Sequence, residues 1–371
     1  MPLFVYGTLR HPPLLDLIAG APVSYRAAKL PDYVVERVEN SDLPMIVPHS
    51  GGVADGLLLE NLTAEQESFL DAYEVPFGYT RAPAVAVCDD GTHIDVDIYL
   101  PPQGQLSDGT PWSLDNWVAA DGQVTVLAAQ EINDHVPRLS PSELSAQWHM
   151  IRMRAAARAR AETTQVRAEQ RRIAGRAEIR SQAPIHGSFF KYRKVVLSHE
   201  TFDGRDSGDL PRELLHGSDV ALVLAYDRTT DCVLLVEQFR VGPFLRHDQN
   251  PWLLEPIAGI VDDGETPAEA AKRETKEEAG LDPIELQHMF DFYPSPGGST
   301  DFFHCFLGLA ELGQARTYFG GLDEEAEDLR LHVMSRESAM NLIETGEANV
   351  GPLIAMLLWL ERHRERFTAT G

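Results

Sequence analysis

The sequence predicts a two-domain protein, α+β in its first part and α/β in its second, with a helical connector between them. Three observations carry this. Before about residue 135, short apolar runs such as PLFVYG, YVVERV, VADGLLLE, PAVAVCD and HIDVDIYL alternate with Gly, Pro and Asp turns, the pattern of short strands. Residues 151–180 are rich in Ala, Arg, Glu and Gln, with no Pro and a single Gly, Gly175, a composition that favours helix. Beyond them VALVLAYD, CVLLVEQFR, FFHCFLGLA and LRLHVMS read as a second set of strands around capped helices. A length of 371 residues suits about two domains. The expected division is 1–138, a connector at 139–183, and 184–371.

Taken in order, the first region has one clear helix, TAEQESFLDAYE, opened by a capping-box pattern from Thr63 to Gln66. The connector is expected to be helical over 141–180, capped by Ser140 or Ser142 with Pro141 near its start. The second region should carry helices at 267–279, 336–345 and from about 351. Thr266-Pro267-Ala268-Glu269 is a strong start for the first of these, and Gly280 a natural stop. The apolar run IAMLLWL near 354–360 is shorter than the ~18 residues needed to span a bilayer and reads as a buried helix face.

Net charge is −25, which argues against nucleic acid or an anionic membrane as partner, since both need a basic surface. Residues 151–180 run against this trend, with nine Arg against three Glu. That face reads better as a solvated helix packing on acidic neighbours than as a nucleic-acid contact. Cys88, Cys232 and Cys305 lie far apart and form neither a disulfide framework nor a metal spacing, so a reducing, cytoplasmic setting is expected. The start, MPLFVYGTLR, enters a strand-like run at once and shows no signal-peptide pattern.

The most informative stretch is GIVDDGETPAEAAKRETKEEAGL, 259–281. Glu274, Glu277 and Glu278 share one helix face, where like charges cost a few tenths of a kcal/mol per pair. A divalent cation among them would make the arrangement favourable, because hard cations take carboxylate oxygens and bridge phosphates. A solvated acidic face with an ordinary Arg273–Glu277 pair explains the same spacing. The whole stretch, however, resembles the Nudix hydrolase signature G-x5-E-x7-R-E-U-x-E-E-x-G-U, in which U is a bulky aliphatic residue. Gly259, Glu265, Arg273-Glu274, Glu277-Glu278, Gly280 and Leu281 fill it without a gap, and Thr275 at a U position is the one departure. The resemblance implies an α/β/α sandwich whose loop–helix–loop holds Mg²⁺, with Mn²⁺ as the alternative ion, and which hydrolyses nucleoside diphosphate derivatives. It implies Glu274, Glu277, Glu278 and the backbone carbonyl of Ala258 as metal ligands. Arg273 would hold the glutamates and Glu265 brace the loop.

Three flanking features are similar to the ADP-ribose pyrophosphatase branch. Pro296 stands sixteen residues after Gly280. EQFR precedes WLLEPIAGIVDDGE, which implies Arg240 on the diphosphate and Glu255 beside the metals. GLDEEAEDLRLHVMS implies Glu325 as the residue that activates water, with Glu327 nearby. The branch also implies a homodimer and the reaction ADP-ribose + water → AMP + ribose 5-phosphate. Another nucleoside diphosphate derivative, a sugar nucleotide or NADH, is the alternative substrate.

FVYGTLR, 4–10, resembles the first strand and loop of the γ-glutamylcyclotransferase-like (AIG2-like) fold, a mixed barrel. The resemblance implies that the loop Tyr6, Gly7, Thr8 and Leu9 binds a γ-glutamyl carboxylate through backbone N–H groups. In LDAYEVPFGYTR, 70–81, it implies Glu74 as the acid/base of a cyclisation that releases 5-oxoproline, with Tyr79 and Arg81 fitting the same pattern. The catalytic positions expected across the chain are then Glu278, Arg273, Glu325 and Glu74. RHPPLL after the loop lacks the glycine of amine-type cyclotransferases. A non-catalytic ligand-binding module remains the alternative for this domain.

Overall fold

The computed structural model describes residues 1–135, 138–163, 175–283, 285–314, 316–321 and 328–367. The chain divides into two compact units, Met1–Arg212 and Glu213–Gly371.

In the first unit, strands β1 (Leu3–Val5), β2 (Ser24–Val38), β3 (Pro44–Glu60), β4 (Thr80–Cys88) and β5 (His93–Leu100) run in the order β3-β1-β5-β4-β2. A long β2–β3 pairing closes the ring into a five-stranded barrel, and β6 (Ser107–Pro111) attaches to β2. Only β1 and β5 are parallel, so the barrel is mixed, as the resemblance implied. Alternation splits the barrel residues between two cores. Phe4, Leu30, Leu58 and Ile98 fill the inside, while Leu3, Val5 and Leu59 face the helices α1 (Pro12–Ala19), α2 (Ala64–Glu74), α3 (Leu114–Trp117), α4 (Gln123–Asp134) and α5 (Pro141–Thr163). Helix α2 starts with the expected capping box: Thr63 Oγ1 accepts from the Gln66 amide at 3.1 Å and Gln66 Oε1 from the Thr63 amide at 3.0 Å.

The connector differs from its expectation in two ways. Helix α5 is capped by Ser140, but it belongs to the first unit rather than to a separate connector: Leu144, Ile151 and Ala155 are buried in that unit's core. Its arginines turn to acids of neighbouring helices, Arg152 to Asp121 and the fully buried Arg154 to Glu131 in a fork at 2.6 and 3.0 Å. Further on, Ala177–Gln182 is a strand, β7, pairing with β8 (Lys191–His199), so helix does not run to 180. Pairing to a partner strand overrides the local helix preference of those residues. Lys191 is fully buried, held by His135 Nε2 at 3.3 Å, the Gly187 carbonyl at 3.1 Å and Gln147. β9 (Leu210–His216) completes a three-stranded sheet with them.

The second unit is a mixed sheet between two helical layers. Strands β10 (Asp219–Asp227), β11 (Cys232–Phe239), β14 (Glu285–Phe292), β15 (Phe302–Leu309), β16 (Arg316–Gly320) and β17 (Leu329–Ser335) run in the order β14-β15-β10-β11-β17-β16. β12 (Trp252–Glu255) pairs with β11, and β13 (Ile257–Ile260) with β10. Along β10, Ala221, Val223 and Ala225 pack toward α7 (Pro267–Ala279), whereas Leu222, Leu224 and Tyr226 pack toward α8 (Arg336–Thr345) and α9 (Gly351–His363). A fourth helix, α6 (Val241–Leu245), is short. This is the α/β/α sandwich expected, and the bounds of α7 and α8 are those read from the sequence. The run IAMLLWL lies in α9, with Met356, Leu357 and Leu360 buried. Among the described residues no helix is long and apolar enough to cross a membrane.

Candidate functional site

In the second unit the signature residues meet where β13 passes under α7. Helix α7 is pinned at its start by a reciprocal Thr266–Glu269 capping box, with Pro267 in the first turn, and stopped by Gly280 at φ +66°. Gly259 leaves the space in which the Glu274 carboxylate lies; a Cβ there would stand 1.8 Å from Glu274 Oε1. Arg273 ties loop to helix. Its Nη1 donates to Glu274 Oε1 at 2.6 Å and Glu277 Oε2 at 3.0 Å, and its Nη2 to Glu265 Oε1 at 2.7 Å and the Ile260 carbonyl at 3.1 Å. Glu265 in turn accepts the Asp262 amide at 2.7 Å, closing the loop on itself. These hydrogen bonds to carboxylates raise the Arg273 pKa further above its already high value, burial working against them. Glu278 is buried and Glu277 half-exposed. Thr275 is fully buried, its hydroxyl donating to the Ala271 carbonyl at 2.6 Å, so a polar residue serves at the aliphatic position because the helix backbone satisfies it.

The donors offered here are carboxylate and carbonyl oxygens, which suit a hard divalent cation rather than a thiolate- or imidazole-seeking metal. Among the described residues, no three acidic, His or Cys side chains already converge as a closed ligand set. The Arg273 guanidinium stands between Glu274 and Glu277 instead. Ala258 lies on β13 opposite Leu222. Arg240 and Glu255 are brought together, and bind each other: Nε and Nη2 both reach Glu255 Oε2 at 2.7 Å. Pro296 is exposed in the turn between β14 and β15. Glu325 and Glu327 lie outside the described residues. The chain ahead of them is anchored on α7, for the Gly321 amide donates to the Glu278 carbonyl at 3.2 Å, and a Cβ on Gly320 would come within 2.1 Å of that oxygen.

The first unit holds a cavity of about 350 Å³, the size of a small-ligand site. Tyr6, Gly7, Thr8, Leu9, Glu74 and Tyr79 all line it, so residues some seventy positions apart in sequence converge on one cavity. Arg81 does not line it; it braces α2 from β4 through Asp71 at 2.7 Å and Glu67 at 3.2 Å. Gly7 is required by close approach, since a Cβ there would meet Pro44 Cγ at 2.6 Å. Burial, then the charge of Asp71, push the Glu74 carboxyl up to about 7. Asp71 is itself held by Arg81 and by the Tyr99 hydroxyl at 2.7 Å. A carboxyl poised there can give or take a proton near neutrality.

Sequence reasoning missed Trp148, which enters this cavity from α5, and Tyr99, which enters from β5. A lone Trp in an arginine-rich helix is the one signal that pointed to it. It also missed a cluster on the α7 side of the sheet. His304 Nδ1 lies 3.1 Å from Asp291 Oδ1, and its Nε2 lies 3.5 Å from Asp219 Oδ2. Burial pulls its pKa down, but the hydrogen bonds and charges of the two aspartates outweigh this and push it up to about 9.

Comparison with known proteins agrees with both halves. Residues 215–357 match the family described as NUDIX domain, and residues 3–119 the family described as Gamma-glutamyl cyclotransferase, AIG2-like. The sandwich and its glutamate helix thus define a Nudix hydrolase, and the chain belongs to that family, with an AIG2-like domain at its N-terminal side. Among its relatives are pyrophosphatases. An ADP-ribose pyrophosphatase of Haemophilus influenzae is 38% identical over 186 residues, covering 50% of this chain and 85% of the relative. That of Escherichia coli strain K12 is 32% identical over 188 residues, covering 51% and 89%. A GDP-mannose pyrophosphatase of Salmonella paratyphi B is 35% identical over 171 residues, covering 45% and 87%.

Proposed function

We propose that the second unit hydrolyses the pyrophosphate of ADP-ribose to AMP and ribose 5-phosphate with Mg²⁺ as its ion. The observation that carries the reading is the Arg273 clamp, which fixes Glu265, Glu274 and Glu277 around one guanidinium and leaves Glu278 buried beside them. Glu274, Glu277, Glu278 and the carbonyl of Ala258 would hold the ion. When bound, it neutralises the diphosphate and lowers the pKa of an attacking water. Arg273 keeps the carboxylates in place. Arg240, half-exposed at the end of β11 and paired with Glu255, would fork onto the diphosphate, and Glu255 would help hold the ion. Glu325 takes the proton from the water as its oxygen attacks phosphorus and the bridging P–O bond breaks. The GDP-mannose pyrophosphatase relatives make a sugar nucleotide the second reading. Purified protein given ADP-ribose and Mg²⁺ should release AMP, and Glu278→Gln should not. A correctly folded, Mg²⁺-loaded protein that releases no AMP from ADP-ribose but hydrolyses GDP-mannose would decide for the second reading.

The first unit we read as a γ-glutamyl cyclotransferase. The substrate's α-amine attacks its own γ-carbonyl, the amide C–N bond breaks, and Glu74 carries the proton from the attacking amine to the leaving one. 5-Oxoproline and a free amine result. Supporting this are the cavity shared by Glu74 and the Tyr6–Leu9 loop and the raised pKa of Glu74. Release of 5-oxoproline from γ-glutamyl amides tests it.

A further inference from the structure

The cavity of the first unit is lined in part by a helix that the AIG2-like region, 3–119, does not include. Helix α5 is fixed there by Ser140 at its start and by Leu144, Ile151 and Ala155 in the core, which fixes the backbone that carries Trp148. Its ring stands edge-on to Phe77 at 5.1 Å and to Tyr73 at 6.3 Å, a wall of three aromatic side chains beside Glu74. Leu43 and Pro44 add apolar surface.

The charges are equally telling. Among the described residues that line the cavity none is Lys, Arg or His, and Glu74 is the single acid. Two arginines on the elements that border it are engaged elsewhere. Arg81 is bound by Asp71 and Glu67, and Arg152 by Asp121 and Thr125. A leaving group that carried a carboxylate would find no cationic side chain in the lining to offset its desolvation, which is costly. One face of the Trp148 ring is already covered by the Arg152 guanidinium, 5.8 Å from its centre, which leaves less of the ring to a cationic leaving group.

Resting on the cyclotransferase reading above, we propose that this cavity takes γ-glutamyl conjugates of uncharged, apolar amines, and that Trp148 is the residue that selects them. The glutamyl part engages the Tyr6–Leu9 loop and Glu74, and the amine's apolar body lies against the Trp148 and Phe77 rings. Rigid aromatic side chains suit this task because they offer a large contact area at little entropic cost.

Calorimetry on full-length Glu74→Gln protein, which binds without turnover, reads the selection with three probes: γ-glutamyl-benzylamide, γ-glutamyl-methylamide and γ-glutamyl-alanine. The benzylamide is expected to bind about tenfold more tightly than either of the others. Adding Trp148→Ala should collapse the benzylamide-to-methylamide ratio, and Trp148→Phe should restore most of it. An alanine conjugate that binds as well as the benzylamide, a ratio untouched in Trp148→Ala, or no binding of any probe would each overturn the inference. The ordering in the Glu74→Gln parent, and Trp148→Phe, keep the test open if Trp148→Ala fails to fold. 5-Oxoproline release by the unmutated chain is read separately. Selective binding without release would sink the reaction and keep the selectivity, and release without selectivity would do the reverse.

Discussion

The two units treat a carboxylate in opposite ways. On α7 the glutamates crowd one helix face, and the cost of their repulsion is met by a guanidinium that touches three of the four signature acids. In the barrel unit Glu74 faces aromatic rings and hydroxyls, with no cation lining its cavity among the described residues, and its carboxyl is pushed up to about 7. On the functions proposed above, one site would preserve negative charge for a cation, and the other would suppress it so that a proton can be passed. The same residue type is set in two electrostatic states by what surrounds it.

The largest effect should come from removing the charge that the first strategy protects. Glu278→Gln is expected to lower AMP release by about a thousandfold, several kcal/mol of transition-state stabilisation, while 5-oxoproline release stays at its starting level. A parallel loss of both activities would show that the contrast between the sites is false. Gly259→Ala probes the same site without touching a charge. Its Cβ needs the place of the Glu274 carboxylate, so AMP release should fall about a hundredfold and the Mg²⁺ concentration for half activity should rise. Normal Mg²⁺ dependence in that variant would mean that Glu274 is not a ligand.

On the other side, Glu74→Gln should cut 5-oxoproline release about a hundredfold. It should also sharpen the contrast in stability. A carboxyl raised to about 7 contributes fully below its unfolded value near 4.5 and loses that contribution as pH rises through 7. The variant should therefore melt above the unmutated protein at pH 8, with the gap closing by pH 4. An unchanged gap across that window would remove burial as the cause. The smallest effect belongs to His304, whose pKa is raised to about 9. Its stabilisation is complete below about 6.5 and lost as pH rises through 9, so His304→Gln should cost about 1–2 kcal/mol at pH 6 and little at pH 10. Denaturant melts at the two pH values decide it.

What the sequence made legible follows from distance along the chain. The bounds of α7, its caps and its glutamate face depend on residues at most a few positions apart, and Thr266, Pro267 and Gly280 announce them locally. The barrel cavity was legible only as two fragments, FVYGTLR and LDAYEVPFGYTR, because what joins them is β5, which pairs with the distant β1 on one side and with β4 on the other. Trp148 and Tyr99 carry no local signature of a site and become part of one only through packing. Arg240 and Glu255 were assigned separately, and their mutual ion pair does not follow from strand register, since Glu255 stands opposite Val236. The strand at 177–182 was misread because its residues favour helix and only its partner strand says otherwise.

The core of the first unit does not stop where its family match stops. Leu127, Ile132, Leu144, Ile151 and Ala155 belong to the same cluster as Leu3 and Leu59, and Lys191 is buried against His135 and Gln147 still later in the chain. This has a bearing on portability. A fragment cut at residue 119 would inherit both motifs but leave a hydrophobic surface bare and one wall of the chamber missing. The smallest piece that can be moved into another protein and keep its chemistry therefore extends well past the motif-bearing segment, toward Arg212.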